Sequence, residues 1–433
     1  DQPAAGSMEV FVDRPRLLAL LKSELERSTG CTDPGAVALA VSRARRELGA
    51  KPDAIEVIVS PNVFKNGVGV GIPGTGKRGL VIAAALGASI DRHEAGLAIF
   101  EHVTPEVLAR AEAEVAAGRV RVRYAESPDP LYIRAELHGG EHSAHAIIAG
   151  DYSDIVEVGR DGKVVLSRPR AEEQAKADTL LERSLESLFG LLADASVDEL
   201  EFFGEVADIN EAAARVGLGD ERLRLGRSLA RTSSELPQPF AAIRAAQVWT
   251  AAASEARMAG LPVTVMAIAG SGNHGITFSL GIAAVAKELG SSRERLLRAL
   301  AIGALVTVVI KCHVHRMTAF CGCSIAASTG VAAGVVHLLG GDFAASEGAM
   351  QSVVGTLSGM LCDGAKESCA YKLSTSASFA IQSAYAAIEG VSIPRGMGVV
   401  GRSIEESFAN LGVLNESGMA TTDRVVLGII EKN

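Results

Sequence analysis

The feature that most limits how this 433-residue chain can fold is the place where its hydrophobic periodicity changes. In the first 170 residues several segments alternate apolar and polar side chains: Ala54–Ser60, Val120–Tyr124, Leu131–His138 and His142–Ile148. A period of two is the mark of a half-buried strand. Ile155–Val158 and Lys163–Leu166 flank Gly159-Arg160-Asp161-Gly162, a hairpin signal. From the charged run at Arg168–Glu173 onward, helical spacing takes over, as in Val197–Ala214, Pro239–Met258, Gly275–Leu289, Ser292–Val309 and Ser374–Ile388. Strands in succession followed by helices predict an α+β fold. Residues 8–170 are expected to form an antiparallel-sheet domain with helices, and residues 171–433 an all-helical domain. Near the N-terminus, Pro15–Ser28 places Leu17, Leu18, Leu21 and Leu25 on one helical face, with Gly30 set for a C-terminal cap. A second helix then starts at Thr32-Asp33-Pro34, with Asp33 as N-cap. Met8 after Gly6-Ser7 reads as a native start behind an expression scar.

Composition narrows the function. Aromatic residues are only 4% of the chain while glycines number 46, so the core rests on small aliphatic side chains and close backbone contacts. A net charge of −9 lacks the basic face that nucleic-acid binding requires. Two stretches, 258–286 and 317–341, contain no Asp, Glu, Lys or Arg. The first is broken by a polar glycine turn and the second carries a histidine, cysteines and hydroxyls, so buried bundle helices are expected rather than membrane spans. Six cysteines, one at Cys31 and five from Cys312 to Cys369, are too few and too uneven for a disulfide scaffold, and they point to a reducing, cytoplasmic setting.

Four motifs can carry chemistry. Cys31 stands just before a helix N-terminus, where unpaired N–H groups lower a thiol's pKa and favour the thiolate, a base or nucleophile. The same turn also suits a small buried apolar side chain. Gly71-Ile72-Pro73-Gly74-Thr75-Gly76-Lys77 follows the strand at 54–60 and matches most of a phosphate-binding loop. Arg78 stands where Ser or Thr would ligate magnesium, so the preferred reading is a loop that meets a substrate carboxylate through backbone N–H groups, Thr75 and Lys77. Ser271-Gly272-Asn273-His274-Gly275 opens a helix with polar groups and a flexible backbone. Cys312, Cys321, Cys323, Cys362 and Cys369 fall within a short part of a cysteine-poor chain. They suggest soft-metal ligation, iron–sulfur or zinc, with unrelated buried thiols as the alternative.

Taken in order, Gly30-Cys31-Thr32-Asp33-Pro34-Gly35, Gly71–Gly76, Ser271–Gly275, Phe320-Cys321-Gly322-Cys323-Ser324 and Leu361-Cys362 through Ser368-Cys369 resemble the L-cysteine desulfidase family, relatives of the iron–sulfur L-serine dehydratases. The resemblance runs from about Leu17 to the C-terminus. It implies a [4Fe–4S] cluster on Cys323, Cys362 and Cys369, with no pyridoxal phosphate. It makes Cys31 the catalytic base and puts Thr32, Thr75, Lys77, Ser271, Asn273 and His274 at a small amino-acid substrate. It implies β-elimination of L-cysteine to pyruvate, ammonia and hydrogen sulfide, with L-serine or another small β-substituted amino acid as the alternative. The chain ends Ile430-Glu431-Lys432-Asn433 without the cysteine tail of some dehydratases, leaving the fourth iron position open or water-bound. Cys312 and Cys321 receive no ligand role. The base and the cluster must meet across 292 positions, so the active site is expected between the two domains. A homodimer is allowed for as the assembly, with neither nucleic acid nor membrane as a partner.

Overall fold

The structure is a computed structural model that describes residues 12–127, 129–168, 180–232 and 236–432. The expected start at Met8 and the expected domain boundary near 170 lie outside these residues. The architecture is α+β, with a sheet-and-helix region first and a mostly helical region after it.

Six strands form the main sheet: β2 (Ala54–Val59), β3 (Val120–Tyr124), β4 (Tyr132–Gly139), β5 (His142–Ala149), β6 (Ile155–Arg160) and β7 (Lys163–Ser167). Their order is β3-β2-β4-β5-β6-β7. The ladders are antiparallel as expected, except that β2 and β3 run parallel, joined by a crossover that includes the helices Leu80–Ser89 and Pro105–Ala116. The inward residues Ile55, Val57, Val59, Ile133, Ala135 and Leu137 are buried under the helices Thr32–Leu48 and Leu80–Ser89.

The first helix is shorter than the leucine spacing predicts. It spans Arg14–Ser23, capped by Asp13, which accepts from the Arg16 N–H at 2.9 Å. Leu25–Thr29 is instead a strand, β1, paired antiparallel with β8 (Thr264–Ile268). A partner 235 residues away overrides the local helical pattern. The helix Arg14–Ser23 also crosses between regions, because Leu17 and Leu21 belong to the helical core with Leu185, Leu200 and Phe203. Met317 makes the reverse exchange and sits in the sheet-side core.

The helical region packs Phe240–Met258, Gly272–Glu288, Arg293–Val314, Ser328–Leu339, Phe343–Leu357 and Cys369–Ile388 through small residues. Arg293–Val314 is long and apolar enough to cross a membrane, but 83% of its apolar window is buried inside the protein, as befits a core helix. Gly275 shows why small residues matter: a Cβ there would stand 1.8 Å from the Met266 carbonyl oxygen, so only glycine lets this helix lie on β8.

Candidate active site between the sheet and the helices

Three pieces of chain meet at one partly open cavity, with about 740 Å³ of space including its solvent mouth. The first piece is the turn after β1. Gly30 takes φ +79°, and a Cβ on it would meet the Pro73 ring at 2.4 Å, so the turn seats against the glycine loop. Cys31, 3% exposed, is the N-cap of the helix Thr32–Leu48. This corrects the expected cap at Asp33, which instead lies in the first turn with its carboxylate in the cavity wall. Asp33 accepts from the Cys31 thiol at 3.6 Å, the Asn66 amide at 3.4 Å and the Tyr152 hydroxyl at 3.2 Å.

The electrostatics at Cys31 run against expectation. Burial, then the Asp33 charge, push the thiol up to about 12, with Arg257 the main opposing influence. A helix N-terminus contributes about 0.3–1 kcal/mol, whereas full burial shifts a pKa by as much as about 3–5 units, so desolvation wins. Burial likewise pushes the Asp33 carboxyl up to about 6, and hydrogen bonds from Asn66 and Tyr152 hold it from rising further.

The second piece follows β2. Ser60 ends the strand, and the helix Pro61–Gly67 brings Asn62, Lys65 and Asn66 to the cavity. Lys65, 3% exposed, donates to the Cys362 carbonyl at 3.1 Å and to Asp423 at 2.5 Å. It thereby ties the sheet side to a cysteine segment and to the helix Thr422–Ile430.

The third piece is helical. Ser271 caps the helix Gly272–Glu288, whose first residues Asn273 and His274 line the cavity. His274 is buried against the Gly322 backbone and held neutral, its pKa pushed well below normal by burial and then by Lys311. Opposite stand two cysteine segments held together by backbone pairing: Cys321 donates its N–H to the Met360 carbonyl and Cys362 to the Ala319 carbonyl, each at 2.8 Å. A single π turn, Cys323–Ala327, aims the first segment, and Cys369 starts the helix Cys369–Ile388. Such turns inside helical segments are frequent at functional sites. Cys31, Cys321, Cys323, Cys362 and Cys369 all line the cavity, and Cys312 does not. Cys321 lies beside Cys323, and a hydrogen bond from the Cys323 thiol, helped by the Lys372 charge and opposed by burial, pulls its thiol below the ordinary value.

Of the residues singled out from sequence, the structure brings Cys31, Thr32, Ser271, Asn273, His274, Cys323, Cys362 and Cys369 to one cavity. Thr75 and Lys77 are not among its lining residues. Thr75 donates to the Ile72 carbonyl and receives the Lys77 N–H, and the Lys77 ammonium pairs with Glu112 at 3.0 Å on the surface. The loop acts as a buttress: Gly71 donates to the Met258 carbonyl at 3.0 Å and Gly74 to the Gly260 carbonyl at 3.2 Å. Sequence reasoning gave no individual role to Asn62, Lys65, Tyr152 or Arg257, although the first two lie in the segment 61–79 that carries the glycine loop. The signal for Arg257 was a charged residue in the alanine-rich stretch Ala251–Met258.

The donor set suits a cluster better than a lone ion. Among the described residues no three His, Cys, Asp or Glu side chains converge on a point that would hold a single metal. Cys321, Cys323, Cys362 and Cys369 bring four thiols to the cavity, a soft-ligand set, and an iron–sulfur cluster spreads its thiolates over separate irons. Cys323, Cys362 and Cys369, the three that the resemblance assigns to it, all line this cavity.

Fold and site together describe a lyase of the iron–sulfur dehydratase type. A sequence model of the serine dehydratase alpha chain family matches residues 94–428, and the chain belongs to that family. The matched segment contains the three cysteines but begins after Cys31, Asn62 and Lys65. Full-length relatives include the UPF0597 protein of Methanocella arvoryzae, 51% identical over 97% of this chain and 99% of its own. Those of Caldanaerobacter subterraneus and Oleidesulfovibrio alaskensis are 38% and 39% identical, each over 96% of this chain and 98% and 97% of their own.

Proposed function

We propose that this protein cleaves L-cysteine by β-elimination, with a [4Fe–4S] cluster on Cys323, Cys362 and Cys369 and without pyridoxal phosphate. The observation that carries the reading is the convergence of Cys31, from the sheet side, with those three cysteines on one cavity. When bound, the cluster supplies an open iron, a Lewis acid for electron-rich atoms of the substrate.

The chain's own residues supply the proton chemistry. The Cys31 thiolate takes the α-proton of the bound amino acid while Asp33, hydrogen-bonded to Cys31, holds the side chain in place, and the thiol so formed gives its proton to the departing sulfur. The Cα–H electron pair becomes the Cα=Cβ bond, and the Cβ–S bond breaks with its pair on sulfur. The aminoacrylate tautomerises to an imine, and water releases pyruvate and ammonia, so cysteine and one water yield pyruvate, ammonia and hydrogen sulfide. The two lysines on the cavity wall are engaged elsewhere, Lys65 with Asp423 and Lys311 with the Arg316 carbonyl, so neither is set out as a Schiff-base amine.

The family match favours L-serine as the second reading, with water leaving instead of sulfide. Anaerobic turnover of cluster-loaded enzyme with each amino acid, measuring pyruvate and sulfide, decides between them. L-cysteine should give pyruvate and sulfide in equal amounts. Pyruvate from L-serine alone would assign the dehydratase reaction, and pyruvate from neither would sink both.

A further inference from the structure

We infer that Arg257 and Asn62 are the groups that recognise an α-amino acid as such, Arg257 through the carboxylate and Asn62 through the ammonium. The starting point is an imbalance of buried polar atoms. Arg257, at the end of the helix Phe240–Met258, is 2% exposed and lines the cavity. Its Nη1 donates to Asn273 Oδ1 at 3.1 Å, but Nε and Nη2 are buried with no hydrogen-bond partner. A buried guanidinium with two idle donors is costly unless an anion completes it.

The nearby carboxylates have other work. Glu255, two residues earlier, accepts the backbone N–H groups of Arg224, Leu225 and Gly226. Asp33 is occupied by Cys31, Asn66 and Tyr152. The guanidinium is also held in place. It lies flat on Gly272, where a Cβ would stand 2.5 Å from Nε and 2.8 Å from Nη2, and Asn273 fixes its other end. The free edge is thus Nε with Nη2, two parallel N–H groups in the geometry that grips a carboxylate with two bonds.

Asn62 supplies the complement. It lines the same cavity from the sheet side, and its Oδ1 is buried without a donor. An idle acceptor and an idle pair of donors on the lining of one cavity match a zwitterion: carboxylate to Arg257, ammonium to Asn62. Nothing in this set reads the β-substituent, so it selects the amino-acid backbone and leaves the leaving group to the cysteine wall.

The chemistry rests on the lyase reading above, but the placement rests on the unpaired atoms. The test is calorimetric titration of anaerobically prepared, cluster-loaded enzyme with three ligands that cannot eliminate: L-alanine, propionate and L-alaninamide. Arg257→Met should weaken L-alanine and propionate about thirty- to a hundredfold, the loss of a charged hydrogen-bond pair, and leave L-alaninamide unchanged. Asn62→Leu should do the reverse, weakening L-alanine and L-alaninamide and sparing propionate. A folding defect lowers all three ligands together, so the mirrored pattern is specific. Equal loss of all three in both variants, or no loss of propionate in Arg257→Met, overturns the assignment. Wild type that makes pyruvate from neither L-cysteine nor L-serine defeats the lyase reading. Wild type that does so, with an Arg257→Met variant that still holds propionate, defeats only this assignment.

Discussion

Cys31 shows how much a single position depends on its surroundings. Its side chain is a small buried thiol hydrogen-bonded to Asp33 at 3.6 Å, the neighbour on which the proposed role as base rests. Cys31→Ala should keep the fold and about four irons per chain after anaerobic purification, yet lose turnover; undiminished pyruvate release would remove Cys31 from the chemistry. Glu26 gives a pH test that does not involve the cysteines. Burial, then Asp151, push its carboxyl from 4.5 up to about 7, against Ser153 and Arg316. Below pH 4.5 folded and unfolded states both hold the proton and the shift has no effect. Between 4.5 and 7 the folded state binds more protons, so its stability falls as pH rises, by up to about 3 kcal/mol in full. Urea unfolding at pH 5 and pH 8 should therefore show the wild type losing stability relative to Glu26→Gln; parallel behaviour would refute it. The residues legible in the sequence were those whose type announces chemistry, the cysteines and the Ser271–His274 turn. Arg257 and Asn62 were not legible, because their meaning lies in what they fail to pair with. Lys77 was misplaced because a glycine loop ending in lysine serves equally as an anion cradle or as a buttress.

Among the elements, the strands of the main sheet were readable because each is half-buried and records that in alternation. β1 was not, because Leu25 continues the leucine spacing of the preceding helix and only pairing with β8 reveals the strand. The parallel partner of β2 was hidden for a similar reason: strand direction is a property of connections, not of composition. Two elements bear directly on the site. Gly275→Ala would drive a Cβ into the Met266 carbonyl and lift a helix from β8, costing about 1–3 kcal/mol as overpacking does, measurable by urea unfolding. The helix Thr422–Ile430 is tied to the cavity through Asp423 and Lys65. Asp423→Asn should weaken the hold on the Cys362 carbonyl and hasten bleaching of the cluster's absorption in air, with unchanged decay as the refuting result.

At the scale of the molecule, the two regions are joined by exchanges: a first helix in the helical core, Met317 in the sheet-side core, and the β1–β8 ladder. The cysteines follow that division of labour. Cys323→Ala, Cys362→Ala and Cys369→Ala should each lose iron, whereas Cys312→Ala, away from the cavity, and Cys321→Ala should retain it, as iron and acid-labile sulfide analysis would show. The ladder also imposes a schedule on synthesis. Thr29 leaves the ribosome 235 residues before Thr264, a gap of roughly 10–50 s at ordinary elongation rates. Through that interval the nascent chain displays Cys31 and an unpaired strand edge, and Cys323, Cys362 and Cys369 have not yet been made. On the function proposed above, a pause or truncation upstream of Cys369 leaves a polypeptide short of its full set of cluster ligands.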